Sequence, residues 1–556
     1  MDFKIKQVSS LEKVFRTNIG SLKQLCRKTL MKGETFSYQI AMESVINTEV
    51  VVDIESPLKE YVKVYAVKNA PVDFPIYSDA DDDDYLTKEQ CLMPDILMPV
   101  VFGETKVRLG GEAVAIWITV KIPEDTECGR YNINTIVSTT GIPTKIPVYP
   151  FTYNVPMEIE VIDETLPKQS VYFTQWFHAD CIATAHNVEV FSDEHWALID
   201  KYMALAGEVG INMILTPVIT PPLDTGVGLK RPCVQLVGIE KSGEKYSFDF
   251  TLLKKWIDMA HKNSIEYFEI SHLFSQWGLK YAPNIKVTEN GVCDYKFGWH
   301  VDSKDQEYKN FLEQFLPSLL EYFEKEGIKD NCWFHVSDEP RPEDIENYNY
   351  AYNLIKPLLG DCKTMDAISS YEFYKKGLIP HPVTGTNHID TFIENNAQHQ
   401  WAYYCCSQYK KVGNRFLSMP SYRNRILGLQ LYKFNIEGFL QWGFNFYFNQ
   451  HSRNEINPYV TTSSDKAFPS GDPFSVYPVK NGVVPSLRAV IFKEALEDVE
   501  ICRKLESYIG REKVVEMIDE AAGMELTFSE YPRNNEFIPE LIEKMEMIIK
   551  EKSENK

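Results

Sequence analysis

Near residue 170 the hydrophobic period of the chain changes, and that change limits the folds open to it. Before it, apolar and polar residues alternate in short runs such as Glu49-Val50-Val51-Val52-Asp53-Ile54, 61–67 and Ala115-Ile116-Trp117-Ile118-Thr119-Val120. Turn formers interrupt them, as in Pro123-Glu124-Asp125 and Cys128-Gly129-Arg130-Tyr131, the pattern of an antiparallel sandwich. After it, short apolar runs at 171–177, 212–216, 267–272, 332–337, 363–368, 384–388, 401–405 and 438–445 alternate with helical patterns near 193–208, 250–263, 306–326, 343–358 and 421–434. Eight strands with mostly helical crossovers predict a (β/α)8 barrel. The expected fold is multidomain: an antiparallel β-sandwich over 1–165, a barrel over 166–484, and a helical extension over 485–556 that packs on the barrel. Surplus barrel length falls at 217–248 and 277–304, after strands, on the face where a barrel carries its site.

Composition narrows the partners. The 556 residues include 79 acidic and 58 basic side chains, a net charge of −21, which argues against nucleic acid and anionic membrane. No uncharged apolar stretch is long enough to span a membrane. The opening MDFKIKQVSS lacks a signal peptide's apolar segment, so the chain reads as cytoplasmic. Eleven cysteines, an odd number without CxxC spacing, read as free thiols. The acidic run of Asp79 and Asp81 to Asp84 lacks the spaced ligands and glycine of a calcium loop and is expected to be solvated. No HExxH, P-loop, dinucleotide or GxSxG motif occurs, and the histidines show no ligand spacing, so no metal and no cofactor are expected. A neutral small molecule or glycan remains as partner, with no oligomeric state assigned. The 13% aromatic content suits core packing and sugar stacking alike.

The sharpest local feature is Trp333-Phe334-His335-Val336-Ser337-Asp338-Glu339-Pro340. Two adjacent carboxylates end an apolar strand, where a barrel's side chains reach the site mouth. The proline is expected to hold Glu339 extended. The plainer reading makes both residues first-turn acids of a helix starting at Arg341. A glycosidase needs a raised-pKa acid and, commonly, a second carboxylate from a distant strand, yet the seventh and eighth runs carry none. If this is a glycosidase, a 2-acetamido oxygen of the substrate can replace the missing nucleophile. An ionised Asp338 would orient the acetamide N–H and stabilise the developing cation, while a protonated Glu339 acts first as acid and then as base. Neighbouring strand residues face opposite ways, so the strand end must twist.

At these residues the chain resembles glycoside hydrolase family 123. The resemblance extends to Pro94-Asp95-Ile96-Leu97-Met98-Pro99, Ile122-Pro123-Glu124-Asp125, Gly438-Phe439-Leu440-Gln441-Trp442-Gly443, Gly471-Asp472-Pro473, Val476-Tyr477-Pro478 and Ser486-Leu487-Arg488, and covers roughly 45–505. It implies a sandwich followed by a (β/α)8 barrel, with Asp338 and Glu339 as the catalytic pair of a β-N-acetylgalactosaminidase working by substrate assistance. It also implies net retention and a glycan or glycolipid substrate of the glycosphingolipid type, ending in an N-acetylhexosamine.

Further candidates sit at strand ends. His178 and Asp180 can grip hydroxyls; His272 and Trp277 follow the third strand as substrate-binding candidates, and Trp277 can form a stacking wall. Tyr403 or Tyr404 can bond the acetamide oxygen, and Trp442 with Asn445 can enclose its methyl. Asn387 and His388 are weaker candidates, and His335 belongs to the barrel's interior. Asp366 and Asp390 suit a different hydrolase scheme, with Asp338 or a distant Asp as covalent nucleophile. A non-catalytic glycan-binding barrel is the alternative outside enzymes.

Overall fold

The computed structural model describes residues 3–15, 19–139 and 151–555. They form two compact units: Met1–Ser170 with Tyr409–Lys433 and Val484–Lys556, and Val171–Gln408 with Phe434–Val483.

The first unit holds two five-stranded sheets. One runs Phe3–Ser9, Thr35–Ser44, Val114–Lys121, Val62–Val72, Cys91–Pro99, every pair antiparallel. The other runs Arg27–Lys32, Thr152–Thr165, Gly129–Thr139, Thr48–Glu55, Val107–Leu109, and its first pair is parallel, a departure from the all-antiparallel expectation. Period-two alternation does the work foreseen: Val50, Val52 and Ile54 of one sheet join Ile40, Met42, Ile116 and Ile118 of the other in one core.

The helical extension, Leu487–Ile509, Arg511–Ala522 and Phe537–Glu554, falls in this same unit, where Leu487–Ile509 packs against Leu427–Lys433. Phe537–Glu554 lies on strands Arg27–Lys32 and Thr152–Thr165. Arg488 forks onto Asp95 at 2.8 and 2.9 Å with both side chains buried, a bidentate geometry that suits guanidinium and carboxylate. The acidic run is only partly solvated, because Asp82 pairs with the buried Arg423 at 2.7 Å.

The second unit contains a closed barrel of eight parallel strands: Tyr172–Gln175, Met213–Thr216, Tyr267–Ile270, Cys332–Phe334, Lys363–Ile368, His381–Gly385, Trp401–Tyr403 and Gly438–Gln441. The sixth starts three residues before the expected run at 384. The crossovers after the fifth and sixth strands contain helices of only five residues, Tyr371–Lys375 and Asp390–Glu394. The surplus at 217–248 and 277–304 is not loop alone. It supplies a four-stranded sheet of Gly238–Ser242, Lys245–Asp249, Ile285–Glu289 and Val292–Phe297. No described helix is long and apolar enough to cross a membrane.

Met213, Leu215, Trp333, Val383, Trp401 and Leu440 fill the barrel interior. Gly438 is required there, since a Cβ would stand 2.2 Å from the Trp401 ring. Gly438→Ala should therefore cost about 1–3 kcal/mol of stability, the usual penalty for overpacking. Urea unfolding of the variant checks this, and an unchanged midpoint would contradict the packing described.

Candidate active site

Beyond Phe334 the fourth barrel strand stops pairing and the chain turns through His335 to Pro340. Asp366, on the fifth strand, shapes this segment by accepting the backbone N–H groups of Val336 at 3.2 Å and Ser337 at 3.3 Å. Ser337 Oγ donates to the Ser275 carbonyl at 2.9 Å. Glu339 then takes φ +43°. This corrects the extended backbone expected before Pro340: the left-handed turn costs about 1–2 kcal/mol, and hydrogen bonds on either side hold it. The turn breaks the strand's alternation, so both carboxylates line one cavity of about 170 Å³. Neither is a first-turn acid, because the 3-10 turn Pro342–Asp344 and the helix Ile345–Leu359 begin beyond them.

Separate donors hold the two acids. Gln276 Nε2 donates to Asp338 Oδ2 at 2.6 Å, and the Tyr403 hydroxyl donates to Glu339 Oε1 at 2.7 Å. Asp338 is 5% exposed. Burial, reinforced by the Glu339 charge, lifts its carboxyl well above the ordinary range against the pull of Gln276. The pair therefore favours holding one proton in the free site. In that state the raised acid is Asp338, whereas the sequence reading has Glu339 as the protonated member.

Beneath the pair lies a buried polar network. Glu269 accepts from Thr174 Oγ1, Trp176 Nε1 and His335 Nε2, each at 2.6 Å. His335 Nδ1 meets Asp366 at 2.9 Å. Burial lowers the His335 pKa, but the bonds to Asp366 and Glu269 outweigh it and push it up to about 10. The ligand atoms of His272, His335 and Asp366 lie within 4.8 Å of one another. An imidazolium with both nitrogens donating has no lone pair for a metal, so the group reads as an ion network.

The other candidates divide. Trp277, 41% exposed, and Trp442 line the cavity with Tyr403, and Trp442 Nε1 donates to Asp472 at 3.0 Å. Tyr404 turns away and packs on Phe439 at 4.9 Å, which settles which tyrosine faces the site. His178 reaches the cavity, yet its nitrogens meet Arg231 at 3.2 Å and the Trp442 carbonyl at 3.0 Å. Burial, then the Arg231 charge, pulls its pKa down to about 3 and keeps it neutral.

Three expected sugar contacts are framework instead. Asp180 is paired with Arg231 at 2.6 and 2.7 Å. The Asn445 amide clasps the His178 backbone at 2.9 and 3.0 Å. His272 is fully buried and stacked on His335 at 4.1 Å. Asn387 accepts from Gln408 at 2.7 Å, and Asp390 is exposed.

Sequence reasoning missed Gln276, Asp224 and His451. All three follow barrel strands, and that position was the only signal they carried.

A model of the glycoside hydrolase 123 catalytic domain matches residues 176–505. A solved structure of a family 123 glycoside hydrolase from Clostridium perfringens, which concerns glycolipid glycan hydrolysis, aligns over 100% of this chain and 98% of its own at TM-score 0.72 and 16% identity. The two share a fold. The N-terminal domain of PorA aligns with 28% of this chain and 97% of its own at TM-score 0.15 and 10% identity, and carries no argument. No curated protein matches the sequence.

The shared proton is open to test. Glu339→Gln removes the neighbouring charge, so the Asp338 carboxyl should lose its proton at a lower pH than in the unaltered protein. Difference infrared titration reads this directly, and an unmoved transition would contradict the coupling.

Proposed function

The chain belongs to glycoside hydrolase family 123 and is a glycosidase, and on that premise we propose that it removes a terminal β-linked N-acetylgalactosamine with net retention, the substrate's acetamide oxygen serving as nucleophile. The observation that carries this reading is the placement of Asp338 and Glu339 side by side on one cavity, each with its own donor. Adjacent residues cannot flank both faces of a sugar ring as a conventional pair does across at least about 5 Å. They can serve one face together, one acting on the acetamide and one on the leaving oxygen.

The steps follow from the contacts. Gln276 occupies Asp338 Oδ2, which leaves Oδ1 for the acetamide N–H. That second donor favours ionised Asp338 and moves the shared proton to Glu339. Tyr403 leaves Glu339 for the acetamide carbonyl and turns it toward the anomeric carbon. The carbonyl oxygen attacks as Glu339 protonates the departing oxygen. An oxazolinium ring forms, and ionised Asp338 stabilises its charge. Glu339 then takes a proton from water, which opens the ring on the face the aglycone left. Trp442, Trp176 and Leu440 wall the acetamide methyl. The cavity is on the scale of one pyranose, which suits an exo-acting enzyme. Glycolipid glycans, the subject of the aligned Clostridium perfringens structure, are the proposed substrate class.

Aryl β-N-acetylgalactosaminide should be hydrolysed far faster than the matching β-galactoside and faster than the N-acetylglucosaminide. Comparable galactoside turnover would sink substrate assistance. Glu339→Gln should lose about 10²–10⁴-fold on poor leaving groups, the range of one general acid, and much less on activated aryl glycosides. Asp338→Asn should lose about 10²–10³-fold, as for removal of one oriented charge partner, while retaining product binding. Steady-state kinetics and calorimetry check both, and wild-type rates in Asp338→Asn would remove its role.

A further inference from the structure

Two loops that no motif marks meet at the cavity. One follows the second strand and carries Asp224; the other follows the eighth and carries His451. Two hydrogen bonds strap them together. Gly226 N–H donates to the His451 carbonyl at 3.0 Å, and Ser452 Oγ to the Asp224 carbonyl at 2.7 Å. Asp224 and His451 adopt φ +41° and +62°, a strained region for non-glycine residues that concentrates at binding sites.

Each residue also brings an unsatisfied atom. Asp224 Oδ2 and His451 Nδ1 are buried without a hydrogen-bond partner, and both residues line the cavity with Asp338 and Glu339. Buried polar atoms in native proteins are overwhelmingly paired, so two orphans on one wall call for a polar ligand. Burial pushes the Asp224 carboxyl up to about 7, against the pull of Arg231 and the His451 N–H. Added hydroxyl donors favour its charged form.

Position names the hydroxyls. The backbone N–H of Asp224 donates to Gln276 Oε1, and Gln276 Nε2 donates to Asp338. Asp224 thus stands one side chain away from the group assigned to the acetamide at C2, and the ring positions next along that edge are C3 and C4. We infer that Asp224 and His451 form a hydroxyl clamp that recognises the C3 and C4 hydroxyls of the terminal sugar. The clamp rests on the substrate reading above and gives the site a means of sensing hydroxyl configuration that the acetamide contacts lack.

The test is a cycle of Asp224→Ala against 3-, 4- and 6-deoxy analogues of an aryl β-N-acetylgalactosaminide. Truncating the side chain leaves the backbone hold on Gln276 intact. In the unaltered enzyme, loss of the 3- or 4-hydroxyl should lower kcat/KM by about 10- to 100-fold, the scale of a hydrogen bond to a charged group. In Asp224→Ala that penalty should shrink to about 3-fold or less. Full penalties persisting in the variant, or coupling only to the 6-hydroxyl, would overturn the clamp. Rescue of Asp224→Ala by azide with formation of a glycosyl azide would overturn it too, by making Asp224 the nucleophile.

Asp224→Asn keeps the side chain's shape and serves the same cycle where the alanine variant fails to fold. Calorimetric binding of the free sugar and its deoxy forms supplies the cycle without turnover. Failure of the substrate reading is distinct: the unaltered enzyme would then prefer a glycoside lacking the acetamide, and the deoxy analogues of that glycoside would test the clamp.

Discussion

Adjacent carboxylates face one cavity only where the chain abandons a strand's alternation between them, and the left-handed turn at Glu339 supplies that break. Much of the barrel's polar interior serves to hold it. Asp366 gathers the N–H groups of Val336 and Ser337, Ser337 ties to Ser275, and Gln276 and Tyr403 grip one acid each. Asp366 is in turn held by His335, whose second nitrogen meets Glu269. Removing any one link loosens a turn that carries about 1–2 kcal/mol of backbone strain.

The same closeness sets the electrostatics. Asp338, buried beside a second carboxylate, resists carrying its charge, and the hydrogen bonds around the pair bear on which member keeps a proton. In the free site burial favours the proton on Asp338. In the proposed complex an acetamide N–H replaces that proton's role and Glu339 receives it. Substrate recognition and activation of the acid become one event, because the donor that orients the sugar is the one that shifts the proton.

The sequence was most informative where periodicity governs structure. Alternation at 48–55 and the eight short apolar runs after 170 marked the sheets and the barrel, and Asp338-Glu339 stood out at a strand end. What stayed hidden depends on tertiary direction. Nothing in Tyr403-Tyr404 indicates which ring turns inward until Phe439 takes one. Asp180 looks like a sugar ligand until Arg231, fifty-one residues away, claims both its oxygens. Gln276, Asp224 and His451 sit in loops whose spacing follows no period. The helical extension joined the sandwich unit through a buried Arg488–Asp95 fork that links residues 393 positions apart.

In the proposed mechanism the acetamide oxygen, oriented by Asp338, attacks the anomeric carbon. Its most direct test is a series of aryl β-N-acetylgalactosaminides whose acetyl methyl carries none, one, two or three fluorines. Each fluorine weakens the carbonyl oxygen as a nucleophile and leaves the leaving group unchanged. Attack by the acetamide oxygen predicts a steep, monotonic fall in kcat/KM along the series. A flat series would mean that a protein carboxylate or water makes the attack and would contradict it.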